Sequence, residues 1–94
     1  MRRAARRDTN EPQIVEAMRA CGAHVEKIND EGRFDLLVWY RGRTLLLEVK
    51  DGAKSPSQRA LTPAEQAFHN RWPGDNLHIV ENIDDALALL KATG

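Results

Sequence analysis

Asp35, Glu48 and Lys50 are the residues whose types and spacing invite chemistry. The two acids stand inside apolar stretches, Phe34-Asp35-Leu36-Leu37-Val38-Trp39-Tyr40 and Thr44-Leu45-Leu46-Leu47-Glu48-Val49-Lys50, where an unpaired charge is costly. Arg41-Gly42-Arg43 lies between them, so the two stretches read as an antiparallel hairpin. With Arg41-Gly42 as a two-residue turn, Tyr40 pairs with Arg43 and Asp35 falls directly opposite Glu48. Opposed antiparallel side chains share a face, with Cβ atoms about 4.5–5.5 Å apart. Lys50, two residues on, shares that face too. Facing carboxylates destabilise a sheet unless something positive sits between them. A divalent cation is the natural candidate, with Lys50 offsetting charge or binding an anion at the metal. The plainer alternative is a buried acid pair bridged by Lys50, with one carboxyl protonated. A one-residue slip or a bulge at the turn would separate the acids onto opposite faces, so both readings depend on register.

A hard cation such as Mg²⁺ takes oxygen ligands and completes its shell with water and phosphate. Glu11 is the choice for a third acid. It lies seven residues before Met18, about −20° round a helix, and so on that helix's apolar stripe; Glu16 falls on the opposite face and is the fallback. A solvated first-turn acid, favoured by the helix dipole, is the ordinary reading of either. Arg33, Arg41, Arg43, Lys54 and Arg59 surround the acids in sequence and suit a phosphate track, or are scattered surface charge. Trp39 and Tyr40 suit a stacked base or a dimer contact, with core packing the plainer reading. His24, His69 and His78 lack metal-ligand spacing and read as surface or strand residues.

The elements that must hold these residues follow from periodicity. Ile14, Val15, Met18 and Cys21 form one helical stripe from Glu11 to Cys21, with Asn10 as N-cap, Pro12 in the first turn, Gln13 three after the cap and Gly22 at the end. Ala23 to Ile28 reads as a short strand before the turn at 29–32, and the hairpin follows. Its nearly continuous apolar runs suggest strands covered on both faces. Residues 51–60 read as an exposed loop, and Thr62-Pro63-Ala64-Glu65 starts a helix running to Arg71 or Trp72. Leu77 to Val80 reads as a strand and Asp84 to Lys91 as a last helix. The order α-β-β-β-α-β-α has short early links and one crossover of about 26 residues. It predicts an α/β fold with a four-stranded mixed sheet flanked by helices.

An acid on the first helix, Asp35, and Glu48-Val49-Lys50 across a hairpin resemble the PD-(D/E)XK nuclease superfamily. Glu48-Val49-Lys50, a polar loop, Leu61-Thr62 and Gln66 look like the VRR-NUC family, especially its compact, often phage-encoded members. Phe34 departs from the Pro that often precedes the superfamily's Asp. The resemblance covers roughly Asn10 to Leu90 and implies a restriction-endonuclease-like core. It also implies metal-dependent phosphodiester hydrolysis, with Asp35, Glu48 and the Val49 carbonyl holding Mg²⁺ or Mn²⁺ and Glu11 binding directly or through water. Lys50 would position or deprotonate the attacking water or stabilise transition-state charge, and Gln66 would orient Lys50, a water or a phosphate. The expected substrate is DNA, with Holliday junctions or flaps favoured because so small a chain has little surface for reading bases. Cutting two strands symmetrically needs two sites, hence a homodimer. The competing class is a non-catalytic nucleic-acid-binding or assembly module that keeps the fold.

Composition frames these readings. The chain has 94 residues, 41% hydrophobic and 30% charged, an ordinary globular mix for one domain. Fourteen bases balance fourteen acids, which excludes binding to DNA or membrane by overall charge alone. The balance is uneven: Arg2, Arg3, Arg6 and Arg7 crowd the start, so residues 1–9 read as a basic arm and 10–94 as the domain. A lone cysteine, Cys21, and the lack of any long apolar run suggest a soluble protein of a reducing, intracellular compartment such as the cytoplasm.

Overall fold

The apolar stripe of the first helix is buried in a hydrophobic core shared with the sheet and the last helix. The computed structural model describes residues 9–30 and 32–93, so the basic arm of Arg2, Arg3, Arg6 and Arg7 lies outside the described residues. Helix α1 spans Glu11–Ala20, and Ile14, Val15 and Met18 are buried along it. Cys21, expected on the stripe, is instead the exposed C-cap, because the helix ends one residue before it. Strands β1 (His24–Asp30), β2 (Phe34–Tyr40) and β3 (Arg43–Val49) follow, then α2 (Pro63–Arg71), β4 (Leu77–Val80) and α3 (Ile83–Thr93). The sheet order is β1-β2-β3-β4; the first two interfaces are antiparallel and the last is parallel. It is the α/β fold expected, a four-stranded mixed sheet flanked by helices. None of the described helices is long and apolar enough to cross a membrane.

The hairpin turn is as tight as its sequence suggests. Arg41 and Gly42 both have positive φ, 53° and 78°, the backbone of the two-residue turns that match strand twist. A left-handed Arg is unfavourable, and its guanidinium lies 5.3 Å from the Tyr40 ring centroid, a cation–π contact that offsets part of the cost. The register is unbroken from Tyr40↔Arg43 to Leu36↔Leu47.

One sheet face carries the core. Leu36, Val38, Leu45, Leu47, Val49 and Val80 pack with Ile14, Val15 and Met18 of α1 and Ala86 and Leu90 of α3. The other face is covered unevenly. Leu46 is buried, but Trp39 is 42% exposed and Ile79 44%. Full cover on both faces therefore holds for β3, where Leu45 to Val49 are all buried, and fails for β2 and β4. The nine-residue α2 is too short to reach along the whole face.

Two tethers fix the helices relative to the strand ends. Asn10 occupies the N-cap position of α1, yet its side chain makes no capping bond. Its amide instead donates to the Lys50 carbonyl at 3.2 Å and the Glu81 carbonyl at 3.0 Å, pairing oxygens where β3 and β4 end. At α2 the expected capping box is complete: Thr62 Oγ1 accepts from the Glu65 N–H, and the Glu65 carboxylate accepts from the Thr62 N–H. The start of α2 closes on the β1–β2 turn, where Gly32 has φ +81° and an added Cβ would sit 2.9 Å from the Ala64 Cβ. Gly32→Ala is expected to cost about 1–2 kcal/mol from the left-handed backbone alone, and more from the clash. Urea unfolding of this variant measures the loss; unchanged stability would mean that α2 does not rest on the turn.

Candidate active site

Continuing the observed register by one pair beyond Leu36↔Leu47 sets Asp35 opposite Glu48, on the face away from the core. The Asp35 carboxylate also accepts a 2.7 Å hydrogen bond from the Val49 N–H, so it is clamped to the strand that carries Glu48. Glu48 is buried, with 2% of its surface exposed, and Lys50 is nearly so. Lys50 Nζ lies 3.5 Å from Glu48 Oε2 and 2.8 Å from Glu65 Oε1. Strand alternation brings Asp35, Glu48 and Lys50 together, and the start of α2 adds Glu65.

The electrostatics are those of buried carboxyls gathered around one ammonium. Burial, and next the charges of Asp35 and Glu65, push the Glu48 carboxyl up to about 9, against the pull of Lys50. At neutral pH it holds a proton. Burial alone would lower the Lys50 pKa, but the hydrogen bond to Glu65 and the nearby Glu48 raise it, so Lys50 stays charged. Glu65 moves the other way: burial would raise it, and the bonds from Lys50 and the Thr62 backbone bring it below the usual carboxylate value. The plainer alternative has Lys50 bridging the Asp35–Glu48 pair; in the structure the acids near Nζ include Glu65 of α2, which that alternative did not name.

The remaining candidates are dispersed. Glu11 is buried on the α1 stripe beside Asn10, which tethers that helix start to the Lys50 carbonyl; Glu16 is exposed. Among the described residues, no group of three or more His, Cys, Asp or Glu side chains is arranged to hold a metal ion. Gln66 is exposed, and its amide donates along its own helix to Asn70 Oδ1 at 2.8 Å instead of turning to Lys50. Arg41 and Arg43 stand at the hairpin turn, about 17 Å of strand away from Asp35, so closeness in sequence does not make them flank the acids. Arg59 is half-buried and paired with Glu81 at 3.1 Å, while Arg33 and Lys54 are exposed.

Glu65 is the contact that sequence reasoning missed. Its place in the capping box accounted for it fully, and nothing local signals that the same carboxylate meets Lys50. His69 lies one helical turn beyond Glu65. It is half-buried in α2 with Nε2 shielded and unpartnered, and burial lowers its pKa.

A hairpin bearing Asp opposite Glu-x-Lys, α1 beneath the sheet and a parallel fourth strand are also the parts of a known nuclease-type architecture. The chain is similar to a solved structure named "VRR_NUC domain", with 26% identity and a TM-score of 0.64, over 89% of this chain and 97% of that one. It is a distant structural homologue of that domain, with a PD-(D/E)XK-related fold. No family model matches the chain, and no curated protein matches it.

The raised Glu48 pKa makes stability depend on pH. Below about 4.5 the carboxyl is protonated both folded and unfolded. Above that, the unfolded chain loses the proton while the folded one keeps it up to about 9, so stability falls as pH rises across this window. Glu48→Gln, which mimics the protonated form, should flatten this decline and melt above the wild type at pH 8–9. Thermal melts of both proteins from pH 5 to 9 check this; parallel curves would remove Glu48 as the cause.

Proposed function

We propose that the chain is a metal-dependent endonuclease that hydrolyses DNA phosphodiester bonds at the Asp35–Glu48–Lys50 face. The observation that carries the reading is the buried Glu48 carboxyl set beside Asp35, which is clamped to the same strand, with Lys50 Nζ 3.5 Å away. The likeness to a VRR_NUC domain supports it. Two facing carboxylates are hard oxygen donors, and a site of few protein ligands suits Mg²⁺ or Mn²⁺, whose shells are completed by water and phosphate. In this reading Asp35, Glu48 and the Val49 carbonyl hold the ion, with Glu11 as the third acid, directly or through water. Bound there, the ion supplies Lewis-acid polarisation of the phosphate and a more acidic water.

The chain's own groups do the rest. Glu48 must release its proton before it can serve as a ligand, so cation binding competes with protonation. The Val49 N–H fixes the Asp35 carboxylate in place. Lys50, charged and nearly buried, offers Nζ donors to a phosphate oxygen or to the attacking water. Gln66 serves as a second polar group if its amide turns from Asn70. Arg33, Arg41, Arg43, Lys54 and Arg59 are the phosphate contacts of this proposal. Arg41 and Arg43 would touch backbone far from the cut, and Arg59 would first have to leave Glu81. So small a surface suits DNA shape more than base sequence, hence Holliday junctions or flaps, and paired cuts call for a homodimer.

The lack of a three-ligand group among the described residues favours a second reading, a nucleic-acid-binding or assembly module that retains the fold without catalysis. One experiment separates the two. The wild type, Asp35→Ala and Lys50→Ala are incubated with single-stranded, duplex, flap and four-way-junction DNA in Mg²⁺ or Mn²⁺, and melts are recorded with and without Mn²⁺. The nuclease reading expects cleavage that falls about 10²–10³-fold in both variants, and a Mn²⁺-dependent rise in wild-type melting temperature. Full activity in either variant removes this site assignment. Binding of DNA without cleavage or a Mn²⁺ shift supports the module.

A further inference from the structure

We propose that Glu65 is the positioning residue for Lys50, holding its ammonium at the face where the phosphate is to be cut. This rests on the reading of Lys50 as a catalytic group. A lysine side chain is flexible and loses about 2 kcal/mol of rotamer entropy when held in one place, so a fixed Nζ needs a strong partner. Glu48 and Glu65 both lie within its reach. Glu48 is the farther, at 3.5 Å, and is the acid assigned to the metal; Glu65 is at 2.8 Å. Glu65 is thus the partner that stays with Lys50 when the metal is bound.

Glu65 is itself held. Its Oε1 accepts from the Thr62 N–H at 2.9 Å and from Lys50 Nζ at 2.8 Å, and its own N–H donates to Thr62 Oγ1 at 3.2 Å. One oxygen therefore closes the capping box and anchors the lysine, so the start of α2 sets where Nζ stands. Gln66, one residue on, is exposed and engaged with Asn70.

Two substitutions separate the tasks of Glu65. Glu65→Gln keeps an oxygen for the Thr62 N–H but removes the charge that holds Lys50. Thr62→Ala removes the capping hydroxyl and leaves the Glu65 carboxylate. The full chain and both variants are compared by melting temperature, by kcat and KM on the best-cleaved DNA, and by the Lys50 Nζ proton resonance, assigned through Lys50→Arg. Glu65→Gln is expected to lower kcat about tenfold with KM within about twofold. The slowly exchanging Lys50 resonance should vanish in Glu65→Gln. Thr62→Ala, which loosens the start of α2 but leaves the Glu65 charge on Lys50, should lower the melting temperature, cost less kcat than Glu65→Gln and keep the resonance. A kcat for Glu65→Gln within about twofold of wild type would overturn the proposal, as would a persistent resonance or an equal loss of kcat in Thr62→Ala. Absence of wild-type cleavage would overturn the nuclease reading instead, and the resonance would still decide whether Glu65 holds Lys50.

Discussion

The buried Lys50 ammonium, set between Glu48 and Glu65, is the interaction on which the far end of this sheet depends. A charge removed from water must be met by partners or the segment that carries it will not stay folded. Here the partners come from different elements: Glu48 from the same strand and Glu65 from α2. The backbone of Lys50 is committed as well. Its N–H donates to the Val80 carbonyl at 2.9 Å, and its carbonyl accepts from Asn10. One residue thereby joins β3 to β4, α1 and α2. The loop of residues 51–61 can be exposed and polar because its two ends are fixed by this residue and by the capping box.

Glu48 stands in contrast to that pairing. It shares its strand face with Leu46, and an apolar side chain there would spare the molecule a buried carboxyl whose proton is held to about pH 9. Lys50 does not neutralise it, since Glu65 is the nearer anion. The sheet end thus gathers Asp35, Glu48 and Glu65 around Lys50, and the grouping is local. A chain of zero net charge conceals it, because whole-chain arithmetic averages over arms, loops and helix starts that never meet. Buried groups with strongly shifted pKa values gather where proteins bind ligands, at some cost in stability.

Much of the fold was legible because its signals are local. The Arg41-Gly42 turn fixed the hairpin register, Thr62-Pro63 and Glu65 fixed the start of α2, and the α1 stripe fixed the core-facing helix. Within the site, alternation alone put Asp35, Glu48 and Lys50 on one face. What sequence could not deliver was contact between elements far apart in the chain. Asn10 has the identity of a capping residue, yet its amide is drawn to two carbonyls, one 40 and the other 71 residues away. Glu65 looked fully used by its capping box. Arg41 and Arg43 looked close to the acids because the eye measures along the chain, while an extended strand adds about 3.3 Å per residue.

Cover of the sheet follows from the same geometry. α1 and α3 pack the core face, whereas α2 meets the opposite face near the acids through Glu65. Trp39, toward the hairpin turn, is left open. The short α2 therefore divides the outer face into a roofed end, where Glu48 is dry and its pKa high, and an open end at Trp39. Desolvation is the largest cause of the Glu48 shift, so the helix that anchors Lys50 also helps exclude water from the carboxyl beside it. A longer α2 would shield the hairpin end but close the face to any large ligand, and a shorter one would return Glu48 to solvent. The length of one helix thus couples access to the site with the electrostatics within it.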